Sequence, residues 1–271
     1  MKSILLHIAD DACLEARIEV ALDLGRAFDA HVTLLQTLPD ILAMPIDIHG
    51  TAAGEVIPAM QESGDKLRRE NEKALRGEDV AWDWITTDGP ADARILSLID
   101  TYDLLVLGAC DPFKSKRARL KLAEDLSVSA GVPVFIVPKD QRSFDCSAPA
   151  LIAWDGSAEA SRAMRAAIPL LRKAEMVYLV NVQENRSDRV HDLPATNGAQ
   201  YLSRHGIASE IAEVHKNELD IAACINAAAR AREAGLIVMG AYGHSRLRQN
   251  LLGGVTQDML TDPGLPLVMY H

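Results

Sequence analysis

Short apolar runs alternate with longer amphipathic stretches along this chain, and the whole alternation occurs twice. The first run, Ser3–Ala9, carries β-branched Ile4 and Ile8 and reads as a strand. Two acids follow, then a stretch from Cys13 to about Asp29 in which Leu14, Ile18, Ala21, Leu22 and Leu24 recur near helical spacing. The same periodicities predict a strand at His31–Thr37, a helix at Glu55–Leu75, a strand at Val80–Thr86 and a helix at Ala91–Ile99. Asp103–Gly108 is a buried strand, Arg117–Ala130 a helix, and Val132–Val137 a fifth strand that Pro138 stops.

Lys139–Ser147 is polar, has no apolar period and reads as a linker. The pattern then restarts. Strands are predicted at Ala148–Trp154, Met176–Val182, Ala208–Val214, Leu236–Gly240 and Leu265–Tyr270. Helices are predicted at Ala158–Leu171, Ala195–Ser203, Asp220–Ala234 and Val255–Leu260. The copies align directly: Asp11-Ala12-Cys13 with Asp155-Gly156-Ser157, Leu104–Gly108 with Leu236–Gly240, and Val132-Pro133-Val134 with Leu265-Pro266-Leu267. Strands that alternate with helices imply right-handed crossovers and a parallel sheet. The expected fold is therefore α/β, with two tandem five-stranded parallel-sheet sandwiches at residues 1–138 and 148–271. In such sheets ligands bind at the carboxyl ends of strands where the strand order reverses.

Composition narrows the function classes. Of the 271 residues 48% are hydrophobic but only 4% aromatic, so aliphatic side chains must fill the cores, as suits helices packed on parallel strands. The net charge of −10 repels nucleic acid and anionic lipid, so an anionic ligand would need a local binding feature. No apolar run approaches a membrane span, and the amino terminus lacks a signal-peptide run. Cys13, Cys110, Cys146 and Cys224 have no C-x-x-C spacing and are expected to be reduced thiols of a cytoplasmic protein. The eight histidines, among them His191, His215 and His244, show no metal-ligand spacing.

The segment richest in chemistry runs from Gly240 to Thr256, leaving a buried strand and entering a helix. Gly240, Gly243, Gly253 and Gly254 permit close backbone approach. The helix start offers unpaired N–H groups and partial positive charge. Arg246 and Arg248 add cations. This G-x2-G-x9-G spacing resembles the nucleotide loop of universal stress proteins, as does Asp155-Gly156-Ser157 after a first strand, and the resemblance covers essentially the whole chain. It implies the adenine nucleotide hydrolase-like fold of that family, with ATP, with or without magnesium, as cofactor. It places Asp155 and the backbone of Val182 at the adenine, and Gly240 and Gly243 along ribose and phosphates. Gly253, Gly254, Val255 and Thr256 would hold the phosphates, helped by Ser157. Where the family has Ser or Thr directly after the third glycine, this chain has Gly254, so one hydroxyl donor is missing. The resemblance also implies that the fifth strands pair about a two-fold axis. In a tandem chain that pairing is internal, and homodimers of the whole chain would be a second level of assembly.

The first copy departs further: Asp111 stands for Gly243 and Leu120-Lys121 for Gly253-Gly254, so no ordinary ATP site is expected there. Plainer roles exist for the same residues. Asp155 and Ser157 suit the cap of the next helix. The basic run Lys114, Lys116, Arg117, Arg119, Lys121 suits a solvated helix start. No nucleophile–base pair or water-positioning residue stands out, so the expected function is a cytoplasmic stress-response sensor or regulator, at most a slow ATPase. The alternative is a nucleotide-free interaction module. It would bind a protein partner or an apolar anionic ligand through the loop around Ile41, Leu42, Met44 and Ile46 and through the basic run.

Overall fold

The structure is a computed structural model that describes residues 1–38, 51–109, 116–183, 194–216, 219–241 and 254–271. The first half contains β1 (Ser3–Ile8), α1 (Leu14–Phe28), β2 (His31–Leu38), α2 (Thr51–Leu75), β3 (Trp82–Asp88), α3 (Ala91–Leu98), β4 (Leu104–Gly108), α4 (Lys116–Ser129) and β5 (Val134–Val137). The second contains β6 (Ala150–Ala153), α5 (Ala158–Ala166), α6 (Ile168–Leu171), β7 (Val177–Gln183), α7 (Pro194–Arg204), β8 (Ser209–His215), α8 (Ile221–Ala231), β9 (Leu236–Gly240), α9 (Gly254–Thr261) and β10 (Leu267–Tyr270).

All ten strands form one sheet in the order β3-β2-β1-β4-β5-β10-β9-β6-β7-β8. Neighbours are parallel within each half. The halves meet at an antiparallel pair in which Leu267, Val268 and Met269 face Ile136, Phe135 and Val134. This register is its own image under the exchange of Val134 with Leu267, so a local two-fold axis passes through the Phe135–Val268 pair. The internal pairing of fifth strands is thus what the structure shows.

Each face of the sheet carries a core. One contains Ile4, Leu6, Val106, Phe135, Val238 and Val268 under α1, α2, α5, α6 and α7. The other contains Leu5, Leu105, Ile136, Ile237 and Leu267 under α3, α4, α8 and α9. Both cores run through the seam, because strands buried on both faces contribute alternate residues to each.

Several expected boundaries move, each for a local reason. The predicted helix Ala158–Leu171 is two helices, broken at Ala167, because Pro169 lacks the N–H that would continue the ladder. Helix α2 begins four residues before Glu55 and contains Pro58. Strand β3 starts at Trp82 and not Val80, because that is where pairing with Val32 begins. The apolar segment 41–48 lies outside the described residues.

The linker corrects a larger expectation. Within its polar stretch Phe144 is only 6% exposed and meets the Phe135 ring edge-on at 5.1 Å. Its backbone N–H donates to Asp23 Oδ2 at 2.7 Å, tying the linker to α1. Nearby, Lys173 of the second half lies 5.1 Å from the Phe28 ring centre of the first. The thiols need correcting too: Cys13 is disulfide-bonded, whereas Cys146 and Cys224 are free as expected. Among the described residues no helix is long and apolar enough to cross a membrane.

Because Phe144 packs against the centre of the seam, Phe144→Ala should lower the unfolding free energy by about 3–5 kcal/mol. Chemical denaturation of the two proteins measures this, and a loss under about 1 kcal/mol would reduce the linker to a tether.

Candidate functional site

The strand order reverses between β1 and β4 in the first half and between β6 and β9 in the second. Each reversal opens a crevice at the carboxyl ends of the strands, where one chain segment leaves toward each face of the sheet. The copies fill these two crevices differently.

In the second half β6 ends at Ala153, and Trp154 is buried beside α7. There Gly198 lets the helix approach, since a Cβ on it would lie 3.2 Å from the indole. Asp155 is exposed at the crevice, and its Oδ1 accepts the Ser157 N–H at 2.9 Å. Gly156 between them has φ +76°, a conformation that favours glycine. Ser157 is the N-cap of α5, its Oγ accepting the Ala160 N–H at 3.1 Å. The capping role is therefore present, and it fixes where Asp155 points. Gly240 ends β9 directly against this turn: a Cβ there would lie 2.6 Å from the Glu159 carbonyl carbon and 2.7 Å from the Ala160 nitrogen. Glycine at 240 is thus required for the first turn of α5 to sit on the end of β9. Glu159 is buried at this contact, with Arg162 Nη1 3.9 Å from its Oε1.

Val182 lies near the end of β7, half-buried and level with Val214. Helix α9 begins at Gly254, which is exposed, while Val255 is half-buried and Thr256 is buried. Among the described residues nothing lies within 4 Å of a Cβ on Gly254, so the position has room for a side chain. The structure thus joins Asp155 to Ser157, sets Gly240 against the turn of α5 that Ser157 caps, and puts Val182 on the strand next to β6. Gly243, Gly253, Arg246 and Arg248 lie outside the described residues, as do His191 and His244. Among the described residues no group of three metal-binding side chains occurs.

In the first half Asp11 makes the same turn, accepting the Cys13 N–H on Oδ1 at 2.7 Å. The strand register reveals a difference that the aligned aspartates conceal. Ile4 is level with Leu104, and Ala150 with Leu236. From Ile4 to the helix start at Leu14 is therefore two residues longer than from Ala150 to Ala158. The longer loop encloses Arg17. Its Nη1 donates to Asp11 Oδ2 at 2.8 Å and its Nη2 to the Ala9 carbonyl at 2.7 Å. Both partners of this ion pair are almost wholly buried, at 1% and 2% side-chain exposure. A Cβ on Gly108, the counterpart of Gly240, would lie 2.6 Å from Arg17 Nη1. The guanidinium thus occupies the space between the end of β1, the end of β4 and the first turn of α1. At the matching helix position the second half has Ser161, whose short side chain donates to the Ser157 carbonyl at 2.8 Å.

Electrostatics follow from this packing. Burial lowers the Arg17 pKa, and Asp11 opposes that shift by its charge and its hydrogen bond. His7, beside Thr37 Oγ1 at 3.4 Å, is pushed down to about 3 by burial and by the Arg17 charge, so it is neutral at ordinary pH. Sequence analysis missed Arg17. The signal was present: Ala16, Arg17, Val20, Ala21 and Leu24 form one buried stripe, and an arginine on such a stripe must have an internal partner. Asp111, Lys114 and the side chains of Lys116, Arg117, Arg119 and Leu120 lie outside the described residues. Lys121 is exposed.

The sequence model of the universal stress protein family matches residues 149–271. No curated protein matches the chain. Among solved structures, a universal stress protein from Archaeoglobus fulgidus DSM 4304 superposes with a TM-score of 0.76 at 18% identity, covering 99% of this chain and 96% of that one. A functionally unknown protein from Pseudomonas aeruginosa PAO1 superposes with a TM-score of 0.57 at 16% identity, covering 100% and 92%. At these identities the likeness establishes the fold, over both halves. The second half of the chain belongs to the universal stress protein family, and the first half repeats its fold in tandem.

Proposed function

We propose that the chain binds one adenine nucleotide, ATP with or without magnesium, at the crevice of its second half. It acts there as a sensor or regulator in a cytoplasmic stress response and not as a dedicated catalyst. The observation that carries this reading is the contrast between the two crevices. In the second half an exposed carboxylate, Asp155, is held at the α5 cap, the first turn of α5 sits on Gly240 at the end of β9, and α9 begins with exposed Gly254. In the first half the equivalent space holds the Arg17–Asp11 pair.

Each residue has a physical role in this reading. Asp155 would accept a hydrogen bond from the nucleoside, and the backbone of Val182 would lie beside the base. Gly240 and Gly243 would let the chain approach ribose and phosphates, and Ser157 would add its hydroxyl to the phosphate contacts. The first turn of α9, with Gly253, Gly254, Val255 and Thr256, would supply N–H groups and partial positive charge to the phosphates. With no nucleophile–base pair at the described crevice, hydrolysis would be slow and the bound nucleotide would serve as the signal.

Calorimetric titration of the full chain with ATP and magnesium is expected to give a stoichiometry near one. Two equal sites would show that Arg17 does not close the first crevice, and no heat at all would favour the nucleotide-free interaction module.

Two substitutions test the loop. Gly254→Ser restores a hydroxyl where a Cβ has room among the described residues, and one added hydrogen bond to a charged phosphate should contribute about 1.5 kcal/mol, roughly tenfold in affinity. Gly243→Asp copies Asp111 of the first half. A carboxylate about 4 Å from a phosphate oxygen is repelled by roughly 4 kcal/mol at an effective dielectric near 20, and even half of that weakens binding about thirtyfold. If Gly243→Asp binds ATP as tightly as the parent, this loop is not the phosphate site.

A further inference from the structure

The two-fold axis that pairs β5 with β10 also lays α4 of the first half against α9 of the second. On α4, Ala123 and Leu126 face the sheet, and Ser127 turns toward the second half, its Oγ 4.0 Å from Met269 Sδ on β10. Glu124 precedes Ser127 by three residues and so shares that flank. Its side chain is buried, and its Oε1 has no hydrogen-bond partner. The exchange that maps Val134 onto Leu267 maps Glu124 onto Gln257, which is half-buried on α9. A carboxyl on one side of the helix seam is therefore matched by a neutral amide on the other.

Among the described residues no cation is paired with this carboxyl. Strands β5 (VFIV) and β10 (LVMY) carry none, and Tyr270 gives its hydroxyl to the Gly131 carbonyl at 3.3 Å. Helix α9 (GVTQDMLT) contributes Asp258, with Asp262 just beyond it, and both are exposed. On α4 itself the charged neighbours among the described side chains are Asp125 and Lys121, both exposed. Helix α3 packs on the opposite flank with Asp92 and Arg94, and Arg94 donates to the Asp88 carbonyl at 2.5 Å. Burial, with a smaller contribution from Asp125, holds the Glu124 carboxyl above its ordinary range.

We propose that Glu124 makes the α4–α9 contact proton-responsive, so that the first half governs how firmly α9 is held. With the carboxyl protonated, the two helices close over a neutral seam. With it ionised, the seam carries an uncompensated buried charge and α9 loosens. Helix α9 is the one whose first turn carries Gly254, Val255 and Thr256, so its hold sets the geometry of that turn. The proposal concerns the helix contact and stands or falls independently of nucleotide binding. The sign follows from linkage. A carboxyl whose folded-state pKa is raised stabilises the contact fully below its unfolded-state value, and that contribution is lost as pH rises through the folded-state value.

Amide hydrogen exchange of the full chain tests this, with protection compared at about pH 4, below the ordinary glutamate value, and at about pH 7.5, well above it. In the parent, α4 and α9 should be several-fold better protected at the lower pH, with α1 and α5 changing little. Glu124→Gln, which copies the partner helix, should protect both helices equally at both values and match the parent's acid level. Gln257→Glu places a second carboxyl in the seam and should enlarge the pH effect. Protection of α9 that is independent of pH in the parent overturns the proposal, as does a pH effect that survives in Glu124→Gln. An equal change in α1 and α5 would assign Glu124 a general stability role and also overturn it.

Discussion

Everything in this molecule is arranged around three antiparallel residue pairs: Val134 with Met269, Phe135 with Val268, and Ile136 with Leu267. A five-stranded parallel unit ending in VFIV or LVMY would present an open apolar edge, a template for uncontrolled pairing. Here each half covers the edge of the other. The consequence is a single sheet whose two cores run through the seam and in which the strand residues Leu105, Val106, Phe135, Ile136, Val238 and Val268 are fully buried. Burial of that extent explains why the linker is packed and not loose. Phe144 completes the face of Phe135, and the Asp23 hydrogen bond holds it there.

With the seam satisfied by both halves, the crevices were free to diverge. The second half keeps a short β6–α5 turn in which Asp155, Gly156 and Ser157 serve the helix cap and leave a carboxylate exposed. The first half lengthens that turn by two residues and buries an ion pair in it. Such a pair gains little net stability, because desolvation offsets most of the attraction. Its geometry still fixes the loop, since Asp11 is shared between the Cys13 N–H and the Arg17 guanidinium. The space is thereby occupied by the chain itself, and neutral His7 beneath it adds no second charge.

The duplication, the alternation of strands and helices, and the glycine contrast between the copies were legible in the sequence because each rests on local pattern. Strand β9 was read to the residue because LIVMG is a run that can only be buried, and a glycine must end it where α5 lands. What stayed hidden depends on distant partners. Arg17 looks like one more surface cation until the register shows that its helix face is the buried one. Phe144 looks like an isolated aromatic in a polar stretch until Phe135 is seen across from it. The aligned aspartates concealed the longer loop, because the Asx turn is recoverable from sequence and the strand register is not.

Divergence between the halves is therefore constrained unequally along the chain. A change in β5 or β10 acts on both halves at once, because each strand is a partner of the other. A change in a crevice loop acts on one half alone. Helices α4 and α9 lie between these extremes: their sheet-facing residues are held by the seam, while their first turns follow the loops. Glu124, whose counterpart under the two-fold exchange is Gln257, is a product of that intermediate position, since the packing volume is conserved while the charge is not. An asymmetric molecule can then arise on a symmetric frame without loss of the fold, provided the three central pairs remain apolar and in register.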